Sequence, residues 1–453
     1  MKRQLLLFLF TSFACACSFA QTGFKSYSFD EALQQAGKDG KFVLVLMDTK
    51  DCNQCNETAT KGFEDKTLGE TIPKQFICIR PDADGADWQQ LAQQYETPNG
   101  LAALFFGSNG TLLHKQTGSS SMGKFYADAA TKALSNQSEI MNVESLTQSF
   151  SMDNSNIIVL QSLLQKRKEL LLSTDSLLDI YVSMLPADSL NSLEQLQYIA
   201  RFAPVLESKA NLSMRRDYDR FNQAWYRMEL AERIRINNAI VYKTRQLAIA
   251  KKDSRLANSA ATFAGSVHSN VNERPKLHTY NMMYYYLGIK DTIRYLSYAN
   301  MYCTQYLMTV STDSVARRDS TEKIKAFAAA KPVTTQEGGT SKRFTKTVMF
   351  RPVAQYYALE LNNIAWNCYT MSPNNPLLLK RALTWAKRAN EFFEVSGVMD
   401  TYARLLYKTG TPSEAIAWQQ KAIALAKKRG YSATEMETVL ANMKSGSSTI
   451  DKY

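Results

Sequence analysis

Cys52 and Cys55 stand at C-x-x-C spacing, close enough in sequence to act as a chemical pair. They follow an apolar, partly β-branched run, Phe42-Val43-Leu44-Val45-Leu46-Met47, that reads as a buried strand. The polar stretch Asp48-Thr49-Lys50-Asp51 breaks that strand just before the first cysteine. Three kinds of chemistry fit such a pair. It is a redox-active dithiol, an inert disulfide formed in an oxidising compartment, or part of a metal site. The metal reading lacks further cysteines or histidines at ligand spacing. His114, His268 and His278 are isolated and read as structural or exposed. No metal or other cofactor is therefore expected.

Elements on either side must hold this pair. Phe29 to Ala36 reads as a short helix capped by Ser28 or Asp30 and ended by Gly37 or Gly40. After the cysteines, Gly62 is expected to end a helix early, and Leu68 to Ile72 forms another helical segment. Gln75 to Arg80 alternates as a strand that carries Cys78, and Pro81 to Gly85 is a turn. Trp88, Leu91, Ala92 and Tyr95 have helical spacing. Leu101 to Phe106 is a third strand, and Ser108-Asn109-Gly110 turns it back into Thr111 to His114. A closing helix fits Met122 to Leu134.

This β-α-β-α-β-β-α order, with C-x-x-C after its first strong strand, resembles the thioredoxin fold over 21–135. The sequence FEDKTLGETIPKQFICIRPDAD after the motif is similar to the bacterial thioredoxin-like branch. The resemblance implies that Cys52 sits at a helix N-terminus, where backbone N–H groups and the dipole favour its thiolate. It also implies that Cys55, one turn later, closes a disulfide with it. Cys52 and Cys55 are then the catalytic pair, and Leu101 with Ala102 falls where the family builds its substrate groove. Three positions depart from the pattern. Leu101 stands where the family has a cis-proline, the nearest proline being Pro98. Leu46 replaces a buried acid that serves proton transfer to the second cysteine, and Asp51 replaces the aromatic residue before the first. Asp51 disfavours a thiolate at Cys52, whereas Lys50 favours it.

A chain of 453 residues exceeds the usual single-domain size. Residues 1–20 read as an export signal: Lys2 and Arg3, the apolar LLLFLF, then small residues with Ser18 and Ala20 at −3 and −1. Cleavage after Ala20 leaves a chain beginning at Gln21, exported and periplasmic. Lipidation at Cys15 or Cys17 would need an aliphatic residue three places earlier, where Ser12 and Ala14 stand. The cysteines that remain are Cys52, Cys55, Cys78, Cys303 and Cys368, too few for a disulfide framework. The last three read as buried, inert thiols. No later apolar run reaches the roughly 20 residues that span a bilayer.

Residues 136–453 read as all-α. Ala382 and Ala389 recur as Ala415 and Ala422, in helix pairs over 362–390 and 399–428. Small residues at these points let helices approach, and the period resembles tetratricopeptide repeats. Further helices fit 156–172, 176–184, 191–205, 215–235, 237–250 and 254–266, with a degenerate unit around Tyr285 to Ala299. The Ser-, Thr-, Lys- and Gly-rich stretch 309–347 reads as a flexible loop. The tyrosines, Met282 to Tyr286 included, read as repeat core, with a groove lining as the other possibility. Residues 21–135 carry net −3 and 136–453 net +13, within a total of +12. The basic part reads as solvated helix faces or as a surface for an acidic protein partner. Nucleic acid is not expected as a partner outside the cytoplasm. Two functions follow: an exported thiol–disulfide oxidoreductase whose repeats recruit a protein partner, or a redox-inactive scaffold for protein–protein interaction.

Overall fold

The computed structural model describes residues 23–50, 52–137, 141–329, 333–337, 340–344, 350 and 352–450. Residues 1–20, with Cys15, Cys17 and the expected cleavage point, lie outside the described residues, as does Asp51. The chain divides into two compact units, residues 1–177 and 178–453. Among the described residues no helix is long and apolar enough to cross a membrane.

The first unit is α/β. It runs β1 (Phe24–Lys25), α1 (Phe29–Asp39), β2 (Phe42–Met47), α2 (Asn53–Phe63), α3 (Lys66–Gln75), β3 (Phe76–Ile79) and α4 (Ala86–Gln94). Then come β4 (Ala102–Phe106), β5 (Leu112–Thr117), α5 (Gly123–Ser135), α6 (Val143–Met152) and α7 (Ile157–Glu169). One five-stranded sheet has the order β1-β3-β2-β4-β5. β3 is parallel to β1 and to β2, whereas β4 is antiparallel to both β2 and β5. Ser28 and Glu31 close a capping box at the start of α1, and Gly40 ends it in the left-handed region.

The continuous apolar run of β2 follows from its central place, since a strand covered on both faces buries odd and even positions alike. Leu44 and Leu46 pack with Ala59, Leu68, Phe105 and Tyr126. Val43, Val45 and Met47 pack on the other face with Ala36, Trp88, Leu91 and Phe106. That second face also receives Val143 and Leu146 of α6 and Leu163 of α7. The α/β unit thus continues past 135, the point where the sequence pattern changes. Lys115, buried in β5, fastens the addition by donating to the carbonyls of Tyr95 (2.8 Å), Glu96 (3.1 Å) and Leu171 (3.2 Å). Glu96 in turn pairs with Arg167 at 2.8 Å.

α2 ends at Phe63, one residue after Gly62, but the glycine has a second role there. A Cβ there would lie 2.3 Å from the Ser120 carbonyl oxygen and 2.5 Å from the Tyr126 ring. The glycine lets α2 pack closely inside the unit, a requirement that local propensity does not express.

The helical region begins with α8 (Asp175–Met184), α9 (Ala187–Leu190), α10 (Leu193–Ala200), α11 (Lys209–Met214) and α12 (Tyr218–Tyr226). It continues with α13 (Leu230–Lys251), α14 (Ser254–Ser266), α15 (Arg274–Gly288), α16 (Thr292–Tyr302) and α17 (Thr312–Ala329). The last helices are α18 (Val353–Met371), α19 (Pro376–Phe392), α20 (Ser396–Lys408), α21 (Pro412–Lys428) and α22 (Thr434–Lys444). Consecutive helices pair, α13 with α14, α15 with α16, α18 with α19 and α20 with α21. Ala382, Ala389, Ala415 and Ala422 are all fully buried. Arg404 and Asp400 form a buried ion pair at 2.8 Å, to which Gln419 of α21 and Glu435 of α22 add hydrogen bonds.

Two expectations change here. The stretch 309–347, loop-like in composition, contains α17 and an antiparallel hairpin, β6 (Val333–Glu337) with β7 (Thr340–Phe344). The segment 215–250 breaks at 227–229 rather than at 236, because Met228 turns into the core there.

Candidate functional site: the Cys52–Cys55 disulfide

β2, the central strand, brings the chain to one end of the sheet, and the turn that follows leads into α2 with Cys52 as its N-cap. Cys52 and Cys55 are joined by a disulfide, their Cα atoms 5.2 Å apart and both residues half-buried. The Cys55 N–H approaches Cys52 Sγ at 3.2 Å, and the Cys52 carbonyl accepts from the N–H groups of Cys55 and Asn56. The first turn of α2 contains no acidic residue, so the positive end of its dipole stays uncompensated within the helix. Charge appearing on Cys52 Sγ when the disulfide opens would therefore meet a donor already in place.

A polar clamp holds this turn. Asn56 bonds Thr49 in both directions, donating to its carbonyl (2.8 Å) and accepting from its N–H (3.0 Å). Asp48 takes a bidentate pair from Arg80 at 2.8 Å for each bond. Arg80 also donates to Thr60 Oγ1 at 2.8 Å, so one guanidinium ties the end of β2 and the middle of α2 to the end of β3. It also lines a cleft of about 530 Å³ with Phe24, Lys25, Asp82 and Asp87. Lys50, expected to favour a thiolate, shares its charge with Asp84 in an exposed ion pair.

The two groove positions lie beside this turn because Ala102 pairs with Met47 across β4 and β2. Leu101 is half-buried in a left-handed conformation (φ 53°), and its carbonyl accepts from Gly118 N at 2.8 Å. Ala102 is 1% exposed and its side chain belongs to the core. Only Leu101 of the two presents a side chain outside the packed interior. Leu46 is buried among apolar residues opposite Ala103, so no carboxylate occupies that place.

Sequence reasoning passed over Asn56, Arg80 and Gly100. Gly100 has φ +64°, and a Cβ on it would lie 2.1 Å from the Asp48 carbonyl oxygen. That same oxygen accepts from Trp88 Nε1 at 2.9 Å. Gly100→Ala is expected to cost about 2 kcal/mol or more, from the backbone conformation plus the collision. Gly118→Ala is the control, because Gly118 has φ +88° but open space around it, and should cost about 1 kcal/mol. Urea melts of the two variants measure the difference.

The remaining thiols are poor nucleophiles. Burial pushes Cys78 and Cys368 up to about 12, and Cys303 is raised well above its ordinary value for the same reason. Burial and the nearby Lys132 lower the pKa of His114, and burial lowers that of His278. Among the described residues, no group of three or more His, Cys, Asp or Glu side chains is arranged to hold a metal ion. The chain matches no protein-family model and no curated protein sequence.

Proposed function

We propose that this protein is an exported, thioredoxin-like thiol–disulfide oxidoreductase whose tetratricopeptide-like helices recruit a protein partner. The observation that carries the reading is the Cys52–Cys55 disulfide at the N-terminus of α2, with a backbone donor against Cys52 Sγ. A mixed sheet with β2 at its centre, followed by that helix, is consistent with the thioredoxin resemblance. The helix pairs with alanines at their contacts are consistent with the repeat resemblance. Residues 1–20 supply the reason for export, and the periplasm is the compartment proposed.

In the reduced protein, the Cys52 thiolate attacks one sulfur of a substrate disulfide. A mixed disulfide forms and one substrate thiolate leaves. Cys55 then loses its proton and attacks Cys52 Sγ, which re-forms the Cys52–Cys55 bond and expels the second substrate thiolate. Two electrons pass from protein to substrate, and the reverse sequence oxidises a substrate dithiol. The basic helical region suits an acidic protein partner.

The second reading, a redox-inactive scaffold, is favoured by apolar Leu46 and by the burial of Ala102. The reduction potential separates the two. The chain from Gln21 is equilibrated in thiol redox buffers, and the Cys52 and Cys55 thiols are quantified by alkylation. A midpoint between about −270 and −120 mV is expected for the oxidoreductase, and its value sets the direction of electron flow. A midpoint below about −300 mV would make the disulfide structural and leave the scaffold reading standing.

A further inference from the structure

In the helical region, several tyrosines surround one buried carboxylate. Glu360 of α18 is 7% exposed, and among the described residues its one hydrogen bond comes from the Tyr284 hydroxyl to Oε1, at 3.3 Å. Oε2 receives none. Among the described residues no cation touches it: Lys276 acts on Glu360 only through its field and pairs with Glu273 at 3.3 Å. Arg245 of α13 donates to Asn281 at 2.7 Å and lies over the Tyr284 ring, 5.6 Å from its centroid. A buried carboxylate without a contacting cation is costly, and a cation brought to it would relieve that cost.

The aromatic rings run from that carboxylate to the surface. Tyr302 is buried, Tyr280 and Tyr284 are half-buried, and Tyr356, one turn before Glu360, is 49% exposed. The ring centroids of Tyr280 and Tyr284 are 4.7 Å apart, and those of Tyr280 and Tyr302 are 5.6 Å apart. Tyr280, Tyr302 and Tyr356 all lie within the field of Glu360. The helix that carries Tyr302 widens directly after it into a π-helical turn, Cys303–Leu307, a distortion that recurs at functional sites. Aromatic faces and one carboxylate are the groups that recognise an ammonium ion, through ring quadrupoles and direct charge.

We propose that Glu360 and its tyrosines form a binding site for a small organic ammonium ion. A single charge is the right size of ligand, because the surrounding region carries +13 and repels a polybasic one. The site owes nothing to the cysteine chemistry and stands or falls separately from it.

The test titrates the chain from Gln21 with tetramethylammonium, methylammonium and the neutral isostere tert-butanol, at pH 8 and pH 5.5. Binding is read by calorimetry and by the tyrosine ring resonances. Among the described residues, the titratable groups that share a field with Glu360 are Lys276, Tyr280 and Tyr284 on α15, Tyr295 and Tyr302 on α16, Cys303 just after it, and Tyr356 on its own helix. Burial raises the pKa of all these tyrosines, so they stay protonated across this range. His278 turns instead to Asn258 at 2.9 Å. The ammonium ions should bind at least about tenfold tighter than tert-butanol at pH 8. They should weaken by roughly thirtyfold at pH 5.5, as Glu360, held up at about 7, takes a proton. Glu360→Gln should lose binding and its pH dependence, which removes any part due to His278. Tyr356→Leu removes a ring at the surface and its hydrogen bond with the Tyr302 hydroxyl, and should weaken binding several-fold in a protein that still melts cooperatively. Binding equal to that of tert-butanol, or retained in folded Glu360→Gln, would overturn the proposal. So would the lack of saturation at tens of millimolar.

Discussion

Cys52→Ser is expected to lower thiol–disulfide exchange by roughly a hundredfold or more, to the rate set by the assay's own thiols. Cys55→Ser is expected to behave differently, still attacking a substrate disulfide but halting as a mixed disulfide through Cys52. The asymmetry comes from the turn, because only Cys52 Sγ lies at the helix N-terminus with a backbone N–H against it. Negative charge is stabilised there and not one turn further along. Serine is also a preferred N-cap and can accept the same N–H, so Cys52→Ser should fold. Its loss of activity then reports on the sulfur and not on the helix. The check is the exchange rate together with the mass of the trapped adduct. Adducts at Cys55 in Cys52→Ser, with none at Cys52 in Cys55→Ser, would reverse the roles assigned here.

The second large effect concerns stability and pH. Burial pushes Glu360 up to about 7, against 4.5 for the same group in water. Between those two values the folded protein binds a proton that the unfolded chain has released, so stability falls as pH rises through this window. The full penalty is present above about pH 7 and amounts to about 3 kcal/mol at 1.36 kcal/mol per pKa unit. Glu360→Gln should therefore be more stable than the parent at pH 8 by about that amount and nearly equal to it at pH 4. Asp400 is also raised by burial, but Arg404 and Gln419 contact it directly. It contributes to the slope of both proteins, and the difference between them isolates Glu360. Denaturant melts of the helical region across pH 4–8 measure this. An unchanged slope in Glu360→Gln would mean that the carboxylate is solvated in the folded state.

The two effects differ in how far they were legible beforehand. The cysteine pair, the strand that leads to it and the helix that follows are local features. Apolar runs, a polar break and residue spacing encode them within about fifteen consecutive positions. The same is true of β2, found at 42–47, of α14, found at 254–266, and of the alanines that mark the paired helices. Strand and helix patterning likewise divided the chain into an α/β part and a helical part, although the first unit continues past 135.

What local pattern could not reach was decided by contacts between distant segments. Gly62 reads as the end of a helix, and only the packing of Ser120 and Tyr126 shows why a side chain would not fit there. Arg80 looks like the end of a strand until Asp48, 32 residues away, meets its guanidinium. Ala102 reads as a groove position, and only the pairing of β4 with β2 and β5 shows that its side chain is buried. Glu360 meets Tyr284 across 76 residues, and no periodicity records that meeting. Secondary structure and motif spacing depend mostly on neighbours along the chain, so the sequence by itself determined most of the elements and the cysteine pair, though not the helix and hairpin of 309–347. Burial, ion pairing and the cost of an isolated charge depend on what tertiary packing brings alongside. That packing alone decided the polar clamp behind the cysteines and the carboxylate among the tyrosines.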